Sequence, residues 1–178
     1  IHLGARIMRT TDRSVAVDEG PEIRAAAVVV ATEGPMASSL LGLPPVESKS
    51  VGAVYFAAPA PPVDSKFVIL DGTGAGPVLN VAVMSNVATS YAPHGRHLVV
   101  AALPGHIGDG IEDAAHAQLR AWWGAGVDEW EHLQTYRISH GQPRQRPPFH
   151  PKQSVALPDG RFVCGDHRDT ASIQGAMF

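Results

Sequence analysis

This sequence has little cysteine, little charge and no long apolar run. Cys164 is its one cysteine, which excludes an internal disulfide and a zinc site built on cysteine pairs. Only 17% of its 178 residues are charged, and the formal net charge is -3, so a basic surface for nucleic acid is missing. The longest apolar stretch, residues 25–32, is too short to cross a bilayer. We therefore expect a cytoplasmic protein with no nucleic-acid partner and no membrane span, unless a targeting segment lies upstream.

Motifs for several other chemistries are also missing. His94 and His97 fall on an expected turn and strand, where this spacing does not put both rings on one face, so we predict no metal site. The sequence has no Gly-x-Ser-x-Gly, and Ser172 has no assignable base, which disfavours a serine hydrolase. Residues 72–77, GTGAGP, look like a phosphate loop but lack its Lys-Ser/Thr ending. Pro77 and the β-rich sequence after it favour a strand connection there.

The first 32 residues have the pattern of strands. We predict strands over Ile1–Thr10, Ser14–Asp18 and Ile23–Thr32, separated by polar, glycine-containing or proline-containing turns. The run Val28–Val30 is continuously apolar, which is typical of a strand covered on both faces. The chain therefore begins with a predicted β-meander that leads into a buried strand.

The middle of the chain predicts an inserted lobe. Four strand-like stretches between Val51 and Leu103 favour an antiparallel sheet. A helix is predicted over Asp109–Trp123, with Asp109 as its cap, and a further strand over Val127–Ile138. The prolines from Pro143 to Pro151 favour an extended return. We predict an α+β fold in which residues 46–145 form one lobe and residues 1–45 and 146–178 form the other.

The C-terminal end combines a strand, a turn and a helix start. A strand is predicted over Arg161–Cys164, Gly165 and Asp166 follow it, and a helix is predicted from Thr170 to Ala176. The first amides of a helix have no internal acceptor and lie at the positive end of its dipole, so oxygen-rich ligands bind there. This arrangement predicts a ligand site next to Asp166. An ordinary aspartate beside a capped helix is the alternative.

Two segments resemble a known family. Residues 165–176, GDHRDTASIQGA, resemble the C-terminal flavin-contact motif of FAD-dependent oxidoreductases of the flavin amine oxidase group, which includes protoporphyrinogen oxidases and carotenoid desaturases. Residues 24–32 resemble the strand that precedes the crossing to the substrate domain in these enzymes. The resemblance implies that this α+β chain is a fragment of an α/β FAD-binding fold with an inserted substrate lobe.

The resemblance also implies a cofactor and its contacts. It implies that FAD contacts seven residues: Gly165, Asp166, Ser172, Ile173, Gln174, Gly175 and Ala176. By position, Asp166 binds the ribityl or pyrophosphate region, and the amides near Ile173 and Gln174 face the flavin C2 carbonyl and N1 edge. Ser172 replaces an aromatic cage residue of the monoamine oxidases, so the resemblance does not imply an amine substrate. No catalytic residue is assigned.

The family's N-terminal GxGxxG segment, which holds the ADP half of FAD, is missing from this sequence. We therefore expect the C-terminal portion of an oxidoreductase that passes a hydride from a C–H or C–N bond to FAD, and that is inactive and without FAD in isolation. The alternative is a non-catalytic binding module or subunit that keeps the sheet but not the cofactor site. An upstream GxGxxG would favour the enzyme, and a start codon near Ile1 would favour the module.

Two further expectations concern partners. Strands such as residues 26–31 expect neighbours on both sides, so we predict a homodimer formed through exposed sheet surface. Aromatic walls suit a small apolar or aromatic substrate. Five residues are candidates for such walls or for ordinary core packing: Trp122, Trp123, Trp130, Tyr136 and Phe149.

Overall fold

The computed structural model describes residues 1–177, and it has the mixture of helices and strands that an α+β fold requires. The chain divides into two compact units, one made of residues 1–48 and 142–178 and the other of residues 49–141. Within the described residues, no helix is both long and apolar enough to cross a membrane. The elements are β1 (Ile7–Thr10), β2 (Ser14–Val17), β3 (Ile23–Arg24), β4 (Val29–Val30), α1 (Gly34–Leu41), β5 (Ser48–Ala58), β6 (Ile69–Leu70), β7 (Asn80–Val83), α2 (Met84–Val87), β8 (His97–Pro104), α3 (Ile111–Trp123), β9 (Glu131–Pro143), β10 (Phe162–Val163) and α4 (Ile173–Met177), with 3-10 turns at Thr89–Tyr91, Ala125–Glu129 and Asp166–Arg168.

The first unit contains two small sheets and a helix. Strands β1, β2 and β3 form an antiparallel meander, while β4 and β10 pair in parallel. Helix α1 begins next to Pro35, whose fixed φ suits a first turn, and ends at Gly42 in the left-handed region at φ 68°. The core of the first unit is small and consists of Val28, Val30, Ala37, Leu41 and Val163.

Arg161 connects several parts of the first unit. Its guanidinium Nη1 donates to Thr10 Oγ1 at 3.0 Å and to the Leu40 carbonyl at 3.1 Å. Its Nη2 donates to the Leu41 carbonyl at 3.3 Å and to the Asp159 carboxylate at 2.5 Å. Leu40 and Leu41 end α1, so the guanidinium supplies donors to carbonyls that the helix itself leaves unsatisfied.

The second unit is built on a five-stranded sheet in the order β6-β7-β8-β5-β9. Strand β8 pairs antiparallel with β5 over eight residue pairs, from Val51↔Pro104 to Ala58↔His97. Helix α3 covers one face, and its Ile111, Ala115 and Leu119 join the buried side chains of the sheet. These three residues recur at helical spacing, which is why the sequence predicts the helix correctly.

A glutamine fixes α3 to the connection before β7. Gln118 Oε1 accepts the backbone amide of Val78 at 2.8 Å, and its Nε2 donates to the Val78 carbonyl at 3.0 Å. Val78 is fully buried, so both of its backbone groups require a partner within the protein.

The first 32 residues differ from the expected strands. β1 begins at Ile7, and the predicted strand over Ile23–Thr32 is interrupted, so that only β3 and β4 remain. Val29 has 59% of its surface exposed, while Val28 and Val30 are buried. The prediction of a strand covered on both faces was therefore wrong for the described structure, because continuous apolarity does not reveal which side chains find a neighbour.

Two predicted boundaries in the second unit were also wrong. Helix α3 begins at Ile111, and Gly110, not Asp109, occupies its N-terminal boundary in a left-handed conformation at φ 74°. The predicted strand over Val127–Ile138 starts late, because Ala125–Glu129 forms a 3-10 turn before β9. Val127 is buried in that turn and packs in the apolar core. Its apolar character therefore indicated burial correctly but did not indicate a strand.

Candidate functional site

The candidate site lies in the first unit, where β10 gives way to a turn. β10 pairs with β4 through Phe162↔Val29 and Val163↔Val30, and the Cys164 amide donates to the Val30 carbonyl at 3.1 Å. Beyond Cys164, Gly165 adopts φ 146° and ψ 161°, a conformation open mainly to glycine. Parallel strands bring their carboxyl ends to one edge of a sheet, the edge at which α/β proteins bind ligands.

The turn after Gly165 continues through irregular backbone to α4. Asp166 opens the 3-10 turn over residues 166–168, and α4 begins at Ile173, three residues later than the predicted helix start at Thr170. Ser172 Oγ accepts the Gly175 amide at 3.0 Å, which is the usual role of a serine before a helix. Among residues 1–177, the amides of Ile173 and Gln174 have no acceptor, so both can donate to a ligand.

A cavity of about 670 Å³ adjoins this turn. Its volume is in the range of about 300–1,000 Å³ that is usual for small-molecule sites. The wall consists of two stretches and two pairs of residues: Lys152, Gln153, Ser154, Val155, Ala156, Cys164, Gly165, Arg168, Asp169, Thr170, Gln174 and Gly175. All of these residues belong to the first unit.

Three of the seven predicted cofactor contacts, Gly165, Gln174 and Gly175, lie in the cavity wall. Asp166 follows the wall residue Gly165 in the chain and is half-buried. Ile173 is 80% exposed. Ser172 is half-buried and Ala176 is exposed. The structure therefore brings part of the predicted set to one cavity and leaves the other four residues outside its wall.

Both glycines in the wall have an internal reason to be glycine. A Cβ on Gly165 would come within 2.7 Å of the imidazole ring of His167, and a Cβ on Gly175 would overlap the Thr170 carbonyl. Either side chain would force its neighbours to move. In this structure the protein's own atoms therefore make the close approach at both glycines.

Arg168 brings a positive charge to the cavity. Its Nη2 donates to the Ser154 carbonyl at 2.6 Å, while its Nε is buried without a partner among residues 1–177. Burial lowers the pKa of its guanidinium, but arginine stays charged at neutral pH. A buried N–H donor without an acceptor is costly, and the positive charge of the guanidinium favours an anionic or oxygen-rich ligand in the cavity that Arg168 lines.

His167 is buried beside the turn, with 8% of its surface exposed, and neither ring nitrogen has a partner within the described chain. Burial lowers the pKa of His167 below its ordinary value of 6.5, the charge of Arg168 lowers it further, and Asp166 raises it. The imidazole is therefore neutral at pH 7. It lines a smaller cavity of about 310 Å³, together with Glu47, Arg144 and Arg146.

The sequence prediction missed Arg168 and the stretch 152–156. Arg168 carried a signal, since it lies two residues after Asp166 in the motif. The stretch 152–156 carried no such signal, because backbone hydrogen bonds to residues distant along the chain bring it to the site. The Gln153 amide donates to the Arg168 carbonyl, and the Val163 amide donates to the Val155 carbonyl, both at 2.9 Å.

The other candidates divide between the two units. Trp122, Trp123 and Trp130 pack on the core of the second unit, and the Tyr136 ring lies 5.5 Å from that of Tyr55. Phe149 lines the 310 Å³ cavity of the first unit. Within residues 1–177, no three histidine, cysteine or acidic side chains are grouped so as to hold a metal ion.

The sequence as a whole matches one family. A model of the flavin containing amine oxidoreductase family matches residues 1–178. The chain therefore belongs to this family of flavin-dependent oxidoreductases, and the resemblance noted at residues 24–32 and 165–176 is confirmed. A comparison of the sequence with curated proteins found no significant match.

Solved structures share the fold. A putative protoporphyrinogen oxidase from Exiguobacterium sp. 255-15 has a TM-score of 0.70 at 15% identity, over 96% of this chain and 42% of its own. An oxidoreductase from Methanosarcina mazei has a TM-score of 0.60 at 14% identity, over 96% and 46%. A mutant of halogenase PltM in complex with FAD has a TM-score of 0.52 at 10% identity, over 96% and 37%. The chain spans less than half the length of each of these structures.

Proposed function

We propose that this chain forms the C-terminal portion of an FAD-dependent oxidoreductase. The family match and the 670 Å³ cavity at the carboxyl end of β10 support this proposal, and the cavity carries it because the flavin-motif residues Gly165, Gln174 and Gly175 line its wall. When bound, FAD would supply the redox chemistry, with hydride passing to it from a C–H or C–N bond of the substrate. The protein would supply binding, orientation and electrostatics.

Polar groups in the cavity wall and beside it fit such a cofactor. The half-buried Asp166 carboxylate would accept hydrogen bonds from ribityl hydroxyls. The amides of Ile173 and Gln174 are available to flavin or phosphate oxygens, and the charged Arg168 lines the cavity. These donors are fixed by the fold before a ligand arrives, and donors of this kind stabilise negative charge on a bound group more effectively than mobile water does.

The two units suggest a division of labour. In this proposal residues 1–45 and 146–178 bind part of FAD, and residues 46–145 bind the substrate, a small apolar or aromatic molecule. The chain covers 37 to 46% of the three related structures. We therefore propose that a further segment, with the family's GxGxxG, holds the ADP half of FAD, and that the chain alone is inactive.

The association of the isolated chain is part of the same proposal. β4 and β10 form a sheet of only two strands, and Val29 and Phe162 are 59% and 38% exposed. A two-stranded sheet presents unpaired edges to solvent. We propose that isolated chains form a homodimer through these edges; a monodisperse monomer in light scattering would contradict this part of the proposal.

The absorption spectrum tests the proposed function. The longest natural form of the protein, purified without added cofactor, should show bound-flavin absorption and release FAD on denaturation. A protein that stays colourless, even after titration with FAD, would contradict the proposal.

A pair of variants tests the site. Asp166→Ala removes the carboxylate next to the cavity and should weaken FAD binding about tenfold or more, as the loss of a hydrogen bond to a charged group does. Asp18→Ala changes an exposed aspartate and should leave FAD affinity unchanged. Equal affinity for both variants would remove Asp166 from the proposed site.

The glycine contacts favour a second candidate function. Gly165 and Gly175 are both required by neighbouring atoms of the protein itself, so the motif residues could persist as scaffold in a binding module that catalyses nothing. Titration of the longest natural form with FAD distinguishes the oxidoreductase from the binding module, because the binding module does not bind FAD.

A further inference from the structure

Gln145 holds the backbone of the cavity wall at two points. Its side-chain Nε2 donates to the Asp169 carbonyl at 2.5 Å, and its Oε1 accepts the Ala171 amide at 3.0 Å. The two bonds use both ends of one side-chain amide and bridge 24 and 26 residues of sequence. Gln145 is half-buried and belongs to the first unit, like the stretch that it holds.

The stretch that Gln145 holds has little regular structure of its own. Asp169 and Thr170 line the 670 Å³ cavity, and they lie between the 3-10 turn that ends at Arg168 and the start of α4. Asp169 adopts φ -135° and ψ -132°, outside both the helical and the strand regions. No ladder of backbone hydrogen bonds therefore fixes this part of the wall.

Local bonds cannot replace Gln145. The Ser172 amide donates to the Thr170 carbonyl at 2.7 Å, and the Thr170 and Ser172 hydroxyl oxygens are 3.0 Å apart. These bonds shape the stretch internally, but they do not fix its distance from the rest of the unit. Arg168 anchors one end of it through Ser154 and Gly165, and the Gln145 side chain attaches the other.

We infer that Gln145 is a positioning residue for the FAD site. This inference rests on the proposed function, and it assigns to Gln145 the task of holding residues 169–171 so that Gln174 and Gly175 meet the cofactor in a fixed arrangement. Gln145 does not line the 670 Å³ cavity, so it acts through the backbone of its neighbours. A side chain that fixes a binding wall in advance lowers the cost of ordering that wall on binding.

Gln145→Leu removes both bonds while keeping the side chain close to its size. The expected result is a rise in the FAD dissociation constant of about tenfold, because two hydrogen bonds of ordinary strength are lost and two backbone groups lose their partner. The measurement is a fluorescence titration of the longest natural form with FAD. The control is Gln142→Leu, at an exposed glutamine in the same segment, for which we expect less than a twofold change.

Gln145→Glu gives a readout that a general loss of stability would not produce. Its ionised carboxylate can accept the Ala171 amide but faces the Asp169 carbonyl without a proton to donate. Protonation restores that donor, and pairing with a carbonyl raises the pKa of a carboxyl. The affinity of Gln145→Glu relative to the parent should therefore be low at pH 7 and recover as the pH falls toward about 5.

The outcomes separate the two claims. A parent protein that binds no FAD would overturn the proposed function and the inference that rests on it. A parent that binds FAD beside a Gln145→Leu variant of equal affinity would overturn the positioning role alone. If Gln145→Leu fails to fold, the pH profile of Gln145→Glu decides, and a ratio to the parent that stays constant with pH would overturn the inference.

Discussion

The two units differ in the interactions that stabilise each of them internally. The core of the second unit contains thirteen buried residues, which come from the sheet, α3 and the connections next to them. The core of the first unit contains five, and polar side chains, Arg161 and Gln145, connect its pieces. Buried apolar area provides most of the stability of a fold. The second unit therefore stabilises itself by burial, whereas the first depends on a few specific hydrogen bonds.

This difference has a functional consequence. The candidate site lies in the unit with the smaller core, and its wall is held by single side chains and by a few backbone hydrogen bonds between distant residues. Such a wall leaves donors and acceptors available to a ligand, because regular secondary structure has not used them. A bound cofactor would then supply contacts that the first unit lacks by itself, and would stabilise that unit by mass action.

The largest expected effect comes from the core of the second unit. Leu119 is fully buried against the sheet, and Leu119→Ala should lower the free energy of unfolding by about 2–5 kcal/mol. Urea denaturation followed by tryptophan fluorescence measures it, since Trp122, Trp123 and Trp130 all lie in this unit. Leu70→Ala, at a side chain that is 71% exposed, is the control. If both variants lost the same free energy of unfolding, apolar burial would not be what stabilises the second unit.

The next effect tests the polar connections of the first unit. Arg161→Met keeps much of the side-chain volume but leaves Thr10, Leu40 and Leu41 without their donor, at a cost of about 2–3 kcal/mol. The amides of Phe162 and Cys164 donate to the carbonyls of Val28 and Val30. Their hydrogen exchange should become faster in Arg161→Met. Arg13→Met removes an exposed arginine and should leave both amides protected. Unchanged protection in Arg161→Met would contradict the proposed dependence on hydrogen bonds.

A smaller effect is expected from the polar connection in the second unit. Gln118→Leu leaves the buried amide and carbonyl of Val78 unsatisfied, which should cost about 1–2 kcal/mol. Chemical denaturation measures this loss, with Gln134→Leu on the exposed side of β9 as the control. A loss as large as that of Leu119→Ala would show that the second unit also depends on single hydrogen bonds, and the contrast between the units would fail.

The smallest effect is a pH dependence in the first unit. The folded pKa of His167 lies below its ordinary value of 6.5, so the unfolded chain takes up this proton first as the pH falls. The free energy of unfolding should be highest above pH 6.5 and decrease as the pH is lowered toward the folded pKa. His167→Gln should lack this decrease, while His140→Gln, at an exposed histidine, should retain it. A parent protein whose stability is flat between pH 7 and pH 5 would contradict the burial argument.

The sequence predicts what depends on local pattern. Apolar residues at helical spacing identify α3, which buries one face. The run of valines and other apolar residues over His97–Leu103 identifies β8. The motif at residues 165–176 identifies the family and three residues of the cavity wall. These features need only short stretches of sequence.

The rest depends on partners that are distant along the chain. Arg161 reaches Thr10 across 151 residues, and Gln145 reaches Ala171 across 26. No local spacing encodes such pairs, and a polar side chain at any of these positions would read as ordinary surface. The interruption between β3 and β4 has the same origin, since Val29 is exposed for want of a neighbour within residues 1–177.

The thiol of Cys164 offers the most direct test that the cavity binds the flavin. Cys164 lies in the cavity wall and is half-buried, so a reagent small enough to enter can alkylate it. We would measure the alkylation rate of Cys164 in the longest natural form by peptide-resolved mass spectrometry, with and without saturating FAD. The account predicts that FAD slows this alkylation severalfold. An unchanged rate while FAD is bound would mean that the flavin occupies a different site.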